Sequence, residues 1–310
     1  MTLPILDESV KGKKVLVRGD IDVPLIVKNG ENGRETYEIG DDTRLKAIKP
    51  TIDFLLENNC QITLCGHVGR PEGKMVPELS TKPIQEWFGA RVKVLENLRF
   101  DPKEEANDES LAKELASLAD IYVDEAFATC ERAHASIVGV PKLLPHYAGF
   151  QLAKEVEALS KVLENPQRPL VVIIGGLKLE TKLPLISKMK SFADTLISNE
   201  NLTQIPNTLD VTTKSVDQYE EAIAQAATIV WNGPFGKVED FTYQVGTRRL
   251  AELIVSNTTA YKVVGGGDTV AFIDKLGLTN KFSWVSTGGG SMLKFLAGEK
   301  LPGIEALISG

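Results

Sequence analysis

The sequence predicts an α/β protein made of two doubly wound parallel-sheet lobes joined by an interdomain helix. Three observations support this prediction. Short apolar segments alternate with amphipathic helical segments along the chain. With 310 residues, the chain is too long for one small domain and comfortable for two. An amphipathic segment at 148–164, ended by Asn165 and Pro166, separates two such alternating halves.

The first half contains four short apolar segments that we expect to form parallel strands, at 14–18, 61–65, 92–95 and 120–123. The polar, glycine-containing stretch Asn29–Gly40 predicts a loop. Apolar residues at helical spacing predict a helix from Arg44 to about Asn58, and Pro50 within it predicts a kink.

The second half repeats the alternation. We expect strands at 170–174, 194–197, 228–231, 263–264 and 282–285. We expect one helix to begin at about 179, others at 215–226, 242–256, 268–275 and 302–308, and another to follow the glycine loop at 286–290 and end at 296. The predicted domains are a first lobe at 1–147, an interdomain helix at 148–166 and a second lobe at 167–296. The C-terminal helix at 297–310 is expected to pack back on the first lobe.

Composition excludes several classes of protein. A net charge of −7 argues against nucleic acid or an anionic membrane as the main partner. The longest apolar runs, such as Leu170–Ile174, are far too short to span a bilayer, and Met1–Lys14 lacks the apolar core of a signal peptide. Three cysteines give no paired framework. We therefore expect a cytoplasmic protein, and we expect it to be a monomer.

Arginines follow the predicted strands of the first half. Arg18, Arg70, Arg99 and Arg132 each end or closely follow one strand, and Arg44 begins a helix. Because the carboxyl ends of parallel strands share one edge of a sheet, these guanidinium groups and His67 predict a pocket for a small anion. A metal site built from Cys60, Cys65 and His67 is an alternative, but the spacing matches no structural zinc pattern.

Glycine-rich loops follow the predicted strands of the second half. Gly265–Gly267 precedes a helix that begins at Asp268, and similar loops occur at 173–176 and 286–290. Glycine lets the backbone approach a ligand, and a helix start offers unpaired N–H groups, so the pattern predicts phosphate binding. Asp268 adds a carboxylate where a Mg²⁺ ion that bridges phosphates would need an oxygen ligand. The alternative is a plain strand-to-helix turn with Asp268 as its N-cap.

Lys178 and Lys182 are four residues apart at a glycine-introduced helix start, so both can face the same phosphates. Spacing alone assigns no role to Glu239. An arginine-rich half for a small anion and a glycine-rich half for a nucleotide–Mg²⁺ complex are typical of a two-lobed phosphoryl-transfer enzyme. Two half-sites on separate lobes predict a hinge closure that excludes water.

The chain resembles the phosphoglycerate kinases from Val15 to Ile308. The resemblance rests on nine motifs that follow the order of the family. These motifs are Arg18–Pro24 (RGDIDVP), Asp42–Arg44 (DTR), His67–Pro71 (HVGRP), Glu96–Arg99 (ENLR), Arg132–Ser136 (RAHAS), Gly175–Lys178 (GGLK), Trp231–Pro234 (WNGP), Gly265–Thr269 (GGGDT) and Ser286–Gly290 (STGGG).

The resemblance implies reversible transfer between 1,3-bisphosphoglycerate and ADP, giving 3-phosphoglycerate and ATP, with Mg²⁺ held by Asp268. It implies that 3-phosphoglycerate is bound by Asp20, Ile21, Asp22, Arg44, His67, Val68, Gly69, Arg70, Arg99 and Arg132. It implies that the nucleotide is bound by Gly175, Gly176, Lys182, Asn232, Glu239, Gly266, Gly267, Asp268 and Thr269. The residues that act on the transferring phosphoryl group are implied to be Arg18, Arg44, Lys178, Gly267 and Gly289.

The chain departs from the family pattern at several positions. Asp22 stands where the family has asparagine, and Glu131 stands where it has histidine, so both changes add negative charge near an anionic substrate. Gly19, Ala128 and Trp284 also differ from the usual residues. After Ile197 the family has a glycine-rich turn and further elements that help to wall the adenine pocket. Here 198–201 replaces the turn and the pattern resumes near 209–211, which predicts a shortened nucleotide lobe.

Two functions remain open. One is a working kinase with a shortened nucleotide lobe, and the other is a non-catalytic phosphoglycerate kinase-like binding protein that has lost turnover. The kinase is favoured because binding alone would not require Lys178 and Asp268. A dehydrogenase is disfavoured, since the glycine loops lack the fuller dinucleotide-binding pattern.

Overall fold

A computed structural model describes residues 2–29, 35–176 and 183–308. The predicted site residues Lys178 and Lys182 lie outside this described part. The chain divides into two compact units. Unit 1 consists of Met1–Val156 together with Lys300–Gly310, and unit 2 consists of Glu157–Glu299.

Unit 1 is built on a five-stranded parallel sheet. Its strands are β1 (Lys14–Gly19), β4 (Gln61–Cys65), β5 (Val92–Val94), β6 (Ile121–Glu125) and β7 (His146–Ala148), in the spatial order β5-β4-β1-β6-β7. Two further strands, β2 (Leu25–Asn29) and β3 (Glu35–Ile39), pair antiparallel. The prediction of a loop over Asn29–Gly40 was therefore wrong for 35–39, where Thr36 to Ile39 pair with residues of β2.

Helices connect these strands and complete unit 1. They are α1 (Thr43–Glu57), α2 (Lys82–Phe88), α3 (Pro102–Glu105), α4 (Glu109–Ala116) and the C-terminal α12 (Pro302–Ile308). Helix α5 (Phe150–Glu164) begins in unit 1, and its residues from Glu157 onward belong to unit 2.

Unit 2 contains a second five-stranded parallel sheet. Its strands are β8 (Leu170–Ile174), β9 (Thr195–Ser198), β10 (Thr228–Asn232), β11 (Tyr261–Gly265) and β12 (Trp284–Ser286), in the order β12-β11-β10-β8-β9. Its helices are α6 (Leu183–Phe192), α7 (Thr213–Asp217), α8 (Glu220–Gln225), α9 (Val245–Ser256), α10 (Gly267–Lys275) and α11 (Gly289–Leu296). The single helix predicted at 215–226 is thus two short helices, and the prediction of one continuous helix was wrong.

The two parallel-sheet lobes confirm the predicted fold class. Strands β6, β8 and β10 are buried at every residue, as expected for parallel strands covered on both faces by helices. Each unit has its own apolar core, one around Val17, Leu45 and Leu64 and the other around Ile173, Trp231 and Ile254. Within the described residues, no helix combines the length and apolarity needed to cross a membrane.

The first turn of α5 is held by two buried polar side chains of unit 1. The Glu125 carboxylate accepts hydrogen bonds from the backbone N–H of Gln151 (3.1 Å) and of Leu152 (2.8 Å) and from the hydroxyl of Thr51. The Thr51 hydroxyl in turn accepts the backbone N–H of Phe150 at 2.9 Å. Strand β6 and helix α1 therefore supply the acceptors that a helix start lacks.

Burial raises the pKa of Glu125 from its ordinary 4.5 to about 7, although the hydrogen bonds from Thr51, Leu152 and Gln151 oppose the shift. Between these two pH values the folded protein binds more protons than the unfolded chain, so this carboxyl makes the free energy of unfolding fall as the pH rises. We expect Glu125→Gln to remove a pH-dependent difference of roughly 3 kcal/mol. Urea denaturation of the wild type and of Glu125→Gln at pH 5 and pH 8, followed by circular dichroism, measures this difference in the free energy of unfolding. Parallel pH dependences in the two proteins would contradict the assignment.

Candidate functional site

The carboxyl ends of the unit 1 strands carry the predicted anion-binding residues. Asp20 follows β1 directly, and its Oδ1 accepts a hydrogen bond from Nη1 of Arg44 at 2.7 Å. Burial raises the pKa of Asp20, while the Arg44 guanidinium opposes that shift. The Asp20 side chain is buried and that of Arg44 is 31% exposed, so the pair holds Arg44 partly at the surface.

The loop His67–Arg70, which follows β4, is held by three side chains. The backbone N–H of Gly69 donates to Asp22 Oδ1 at 2.8 Å, and the Gly69 carbonyl accepts from Arg99 Nη1 at 2.9 Å. Asn97, a residue that the sequence did not single out, donates its amide to the Val68 carbonyl at 2.7 Å. Predicted substrate residues from three different segments therefore meet at this loop.

Arg18 lies inside unit 1, with its side chain fully buried. Its Nη1 donates to the Gly19 carbonyl at 2.6 Å, its Nε to the Ser136 hydroxyl at 2.9 Å, and its Nη2 to His67 Nδ1 at 3.0 Å. The resemblance implies that Arg18 acts on a transferring phosphoryl group, and that role stays a prediction; in the structure its guanidinium donates to partners of its own unit.

The predicted arginine cluster thus divides into two groups. Arg18 and Arg99 are buried, whereas Arg44, Arg70 and Arg132 reach the surface. Arg99 pairs with Glu105, whose Oε1 lies 3.2 Å from Arg99 Nε. Strand periodicity gave no means of separating the two groups, because burial depends on partners distant in sequence.

Two histidines lie against this cluster. Burial, reinforced by Arg18, Arg99 and other cations, lowers the pKa of His67 well below its ordinary value. Burial and the charges of Arg99 and Arg18 lower the pKa of His134 to about 4. Both imidazoles are therefore neutral near pH 7.

The alternative of a metal site finds no support in the described residues. Cys60 and Cys65 are free and buried, and burial raises the pKa of both thiols, to about 12 for Cys65. No group of three or more His, Cys, Asp or Glu side chains suited to a metal ion occurs in the part of the chain described. A thiol with a raised pKa is a poor metal ligand, because binding requires the thiolate.

In unit 2, four loops meet at the carboxyl edge of the sheet. Gly175 after β8 donates its backbone N–H to the Asn232 carbonyl at 2.9 Å. The Asn232 side chain donates to the Gly289 carbonyl at 3.0 Å. The backbone N–H of Gly233 donates to the Thr269 hydroxyl at 2.9 Å. The structure therefore brings together the predicted nucleotide residues Gly175, Asn232 and Thr269 with Gly289.

Two of these positions require glycine because backbones approach closely. A Cβ at Gly175 would lie 2.4 Å from the carbonyl oxygens of both Gly233 and Pro234. A Cβ at Gly289 would lie 2.5 Å from the Gly266 Cα. Gly266, with φ of 99°, is the N-cap of α10, so these contacts set the position of a helix start that can receive an anion.

Asp268 lies exposed in the first turn of α10, beside the backbone of Gly266 and Gly267. Mg²⁺ in nucleotide sites commonly takes one or two carboxylates, with phosphate oxygens and water completing the shell, so this donor set fits it. Glu239 lies exposed on the turn that leads from β10 toward α9.

The sequence did not identify the side chains that hold the Asn232–Lys237 turn. The buried Thr247 hydroxyl accepts the backbone N–H of Phe235 at 3.0 Å, and the Asn199 amide donates to the Phe235 carbonyl at 3.1 Å. Buried Asp210 accepts the backbone N–H of Val245 at 2.6 Å and of Val211 at 2.8 Å. The position of Asp210 shortly before a predicted helix was a visible sign of a capping role in the sequence. Its hydrogen bond to the start of α9, however, joins residues 35 positions apart, which local patterns do not reveal.

Comparisons with known proteins identify a single family. A sequence model described as phosphoglycerate kinase matches residues 5–94, 89–203 and 197–299. Curated phosphoglycerate kinases from Dictyoglomus turgidum and Herpetosiphon aurantiacus are 35% and 34% identical to the chain, in each case covering 98% of both proteins. Solved structures of phosphoglycerate kinases also match the chain. The phosphoglycerate kinase from Coxiella burnetii matches with a TM-score of 0.81 and 32% identity, covering 99% of both chains. The phosphoglycerate kinase from Pyrococcus horikoshii matches with a TM-score of 0.81 and 25% identity, covering 96% of both chains.

The alignment with the Dictyoglomus protein extends over 396 positions, which exceeds the 310 residues of this chain by 86. At least that many positions of the relative have no counterpart here. The relatives are nevertheless matched along almost their whole length. The missing positions are therefore internal for the most part, and one junction between matched segments of the family model falls at 197–203.

We expect Gly289→Ala to destabilise unit 2, because the new methyl group would collide with backbone atoms of Gly266. Overpacking of this kind costs about 1–3 kcal/mol. The control is Gly267→Ala, since a Cβ there has no atom within 4 Å. Thermal unfolding followed by tryptophan fluorescence compares the two variants. Equal unfolding temperatures would show that the two loops are not packed as described.

Proposed function

The chain belongs to the phosphoglycerate kinase family, and from that membership we propose that it transfers a phosphoryl group reversibly between 1,3-bisphosphoglycerate and ADP, with Mg²⁺. The supporting observation is the division of binding chemistry between the two units. Guanidinium groups and a polar loop line the strand ends of unit 1, whereas glycine turns and a helix start line those of unit 2. Phosphoryl transfer requires mainly positioning and charge stabilisation, which these groups provide.

We assign 3-phosphoglycerate to unit 1. Within the predicted arginine cluster, Arg44, Arg70 and Arg132 reach the surface, and each can donate two parallel hydrogen bonds to a carboxylate or a phosphate. His67 and the Val68–Gly69 backbone lie in the loop held by Asp22 and Arg99. Asp20 keeps Arg44 in place, and Ile21, the next residue after Asp20, is buried.

We assign the nucleotide to unit 2, with its phosphates at Gly266–Thr269 and Gly289. Asp268 would hold Mg²⁺, which neutralises phosphate charge when bound. The roles of Lys178, Lys182 and Gly176 in phosphate binding, and of Glu239 at the ribose, follow from the resemblance to the family. Cytoplasmic location and a monomeric state belong to the same proposal.

A non-catalytic binding protein is the second candidate. It is favoured by the 86 or more positions of the relative that the chain lacks. Asp22 and Glu131 also favour it, because they place two further carboxylates beside the cationic loop and Arg132. Anion binding in unit 1 would survive in such a protein, while adenine binding and turnover would be lost.

A coupled assay with 3-phosphoglycerate, ATP and Mg²⁺ tests the proposal. We expect turnover by the purified protein and a loss of about 100-fold or more in Lys178→Ala, because the resemblance to the family assigns this cation to the developing phosphoryl charge. Lys188→Ala is the matched control, since Lys188 forms an ion pair with Glu299 on the surface of unit 2. Wild-type rates no higher than those of Lys178→Ala would reject the kinase.

Calorimetry separates the two candidates. ADP–Mg²⁺ and 3-phosphoglycerate are titrated separately into the full chain. Binding of both supports the kinase, whereas binding of 3-phosphoglycerate alone supports the binding protein. Binding of neither would reject both assignments.

We expect Asp22→Asn to lower the KM for 3-phosphoglycerate by about 3- to 10-fold, because it removes a negative charge facing an anion. Asparagine keeps an oxygen acceptor for the Gly69 N–H, so the loop is preserved. The KM for ATP should not change, and the gain should shrink as ionic strength rises. Asp53→Asn, at the exposed Lys49 pair on α1, serves as the control. A higher KM for 3-phosphoglycerate in Asp22→Asn would instead show that the carboxylate assists binding.

A further inference from the structure

A chain of buried hydrogen bonds in unit 1 includes two residues with no role in the proposed function. Glu104 in α3 and Ser136 in the helical turn Ala135–Gly139 are both fully buried. The Ser136 hydroxyl donates to Glu104 Oε1 at 2.5 Å, and its backbone N–H donates to Glu104 Oε2 at 2.9 Å. The same hydroxyl accepts Arg18 Nε at 2.9 Å, and Arg18 Nη2 reaches His67 Nδ1 at 3.0 Å.

Donor and acceptor chemistry gives this chain one direction. The Ser136 hydroxyl lies between Arg18 Nε and Glu104 Oε1, and its single proton points to Glu104 because a guanidinium cannot accept a hydrogen bond. The hydroxyl lone pair then faces Arg18, whose guanidinium only donates. The direction of the chain is therefore set by Arg18, and Ser136 is the link that both donates and accepts.

The same reasoning fixes the tautomer of His67. Because Arg18 Nη2 is a donor, the Nδ1 atom that it meets must be the unprotonated nitrogen of the ring. A neutral imidazole then carries its proton on Nε2. That atom lies 3.7 Å from Asp22 Oδ2, at the loop that carries the predicted substrate residues.

We propose that Glu104 and Ser136 are positioning residues that act through Arg18 to hold His67 as its Nε2–H tautomer, so that unit 1 offers a neutral N–H donor to a substrate oxygen. The identity of that substrate as 3-phosphoglycerate rests on the proposed function. The opposite tautomer would turn a lone pair toward the oxygen and repel it. Glu104 and Ser136 would thus control the affinity for substrate without touching it.

The charges around His67 agree with a neutral ring. Burial contributes most to lowering its pKa, and the charges of Arg18, Arg99 and Arg44 lower it further. Asp22 Oδ2 is an acidic oxygen near Nε2, but at 3.7 Å it lies beyond hydrogen-bonding distance and does not occupy the Nε2–H donor. The neutral donor therefore persists through the neutral pH range.

Nuclear magnetic resonance of the ¹⁵N-labelled full chain tests the tautomer directly. The protein has three histidines, so a His67→Gln variant assigns the His67 signals. We expect an acceptor-type Nδ1 and a protonated Nε2 near pH 7. In Ser136→Ala, we expect a larger fraction of Nδ1-protonated forms. The isosteric Glu104→Gln should change the ring in the same direction, since the carboxylate that orders the hydroxyl is gone.

Tyr122→Phe is the matched control. The Tyr122 hydroxyl donates to the Ser136 carbonyl at 2.8 Å, so its removal loosens the same turn but leaves the Glu104–Ser136–Arg18 chain intact. We expect wild-type His67 signals in this variant. If they change as much as in Ser136→Ala, the effect is general loosening of the turn and the proposal fails.

Kinetics provides the second measurement. Ser136→Ala and Glu104→Gln should raise the KM for 3-phosphoglycerate by about 3- to 10-fold, the range of one neutral hydrogen bond, and leave the KM for ATP unchanged. A wild-type His67 protonated on Nδ1 near pH 7 would overturn the inference. If the tautomer is as stated but 3-phosphoglycerate does not shift the His67 signals, the hydrogen-bond chain stands and the substrate assignment falls.

Discussion

The burial of one guanidinium constrains much of unit 1. Arg18 lies on the central strand β1, and its side chain is fully enclosed. A charge removed from water must be paired and hydrogen-bonded, or folding would be strongly disfavoured. Ser136 links it to the Glu104 carboxylate, which lies on a different helix. The strand, the helix and the turn are therefore held in one arrangement, and the loop at His67 is arranged with them.

At the edge of unit 2 that is proposed to bind an anion, backbone groups take the place that charged side chains have in unit 1. Its loops approach so closely that Gly175 and Gly289 have no room for a Cβ. The short side chains of Asn232 and Thr269 join the loops by single hydrogen bonds. A helix start formed in this way presents N–H groups that cannot be neutralised by titration. The two units thus combine a guanidinium-rich surface with a backbone-rich one.

Sequence patterns predicted the elements that depend on local periodicity, and they missed features set by distant partners. Strands 61–65 and 170–174 match the structure residue for residue, and 170–174 is the continuous apolar run that a buried parallel strand requires. The pairing of 35–39 was missed because that strand is polar. The separation of buried Arg18 from surface Arg44 was also beyond reach, because it depends on Ser136, 118 residues away. The assignments of Lys178 and Lys182 stay predictions.

The chain lacks more than 80 positions of a curated relative, yet the hydrogen bonds that hold the Asn232–Lys237 turn of unit 2 are present. Around the junction, Asn199 holds the Phe235 carbonyl, and Asp210 satisfies the first N–H groups of α9. Helix α9 in turn supplies Thr247 to the turn that follows β10. The Asn232–Lys237 turn is therefore braced by residues on both sides of the shortened stretch. Because the loops proposed to bind phosphate rest on this turn through Gly233 and Thr269, the shortened unit keeps the support of that proposed site.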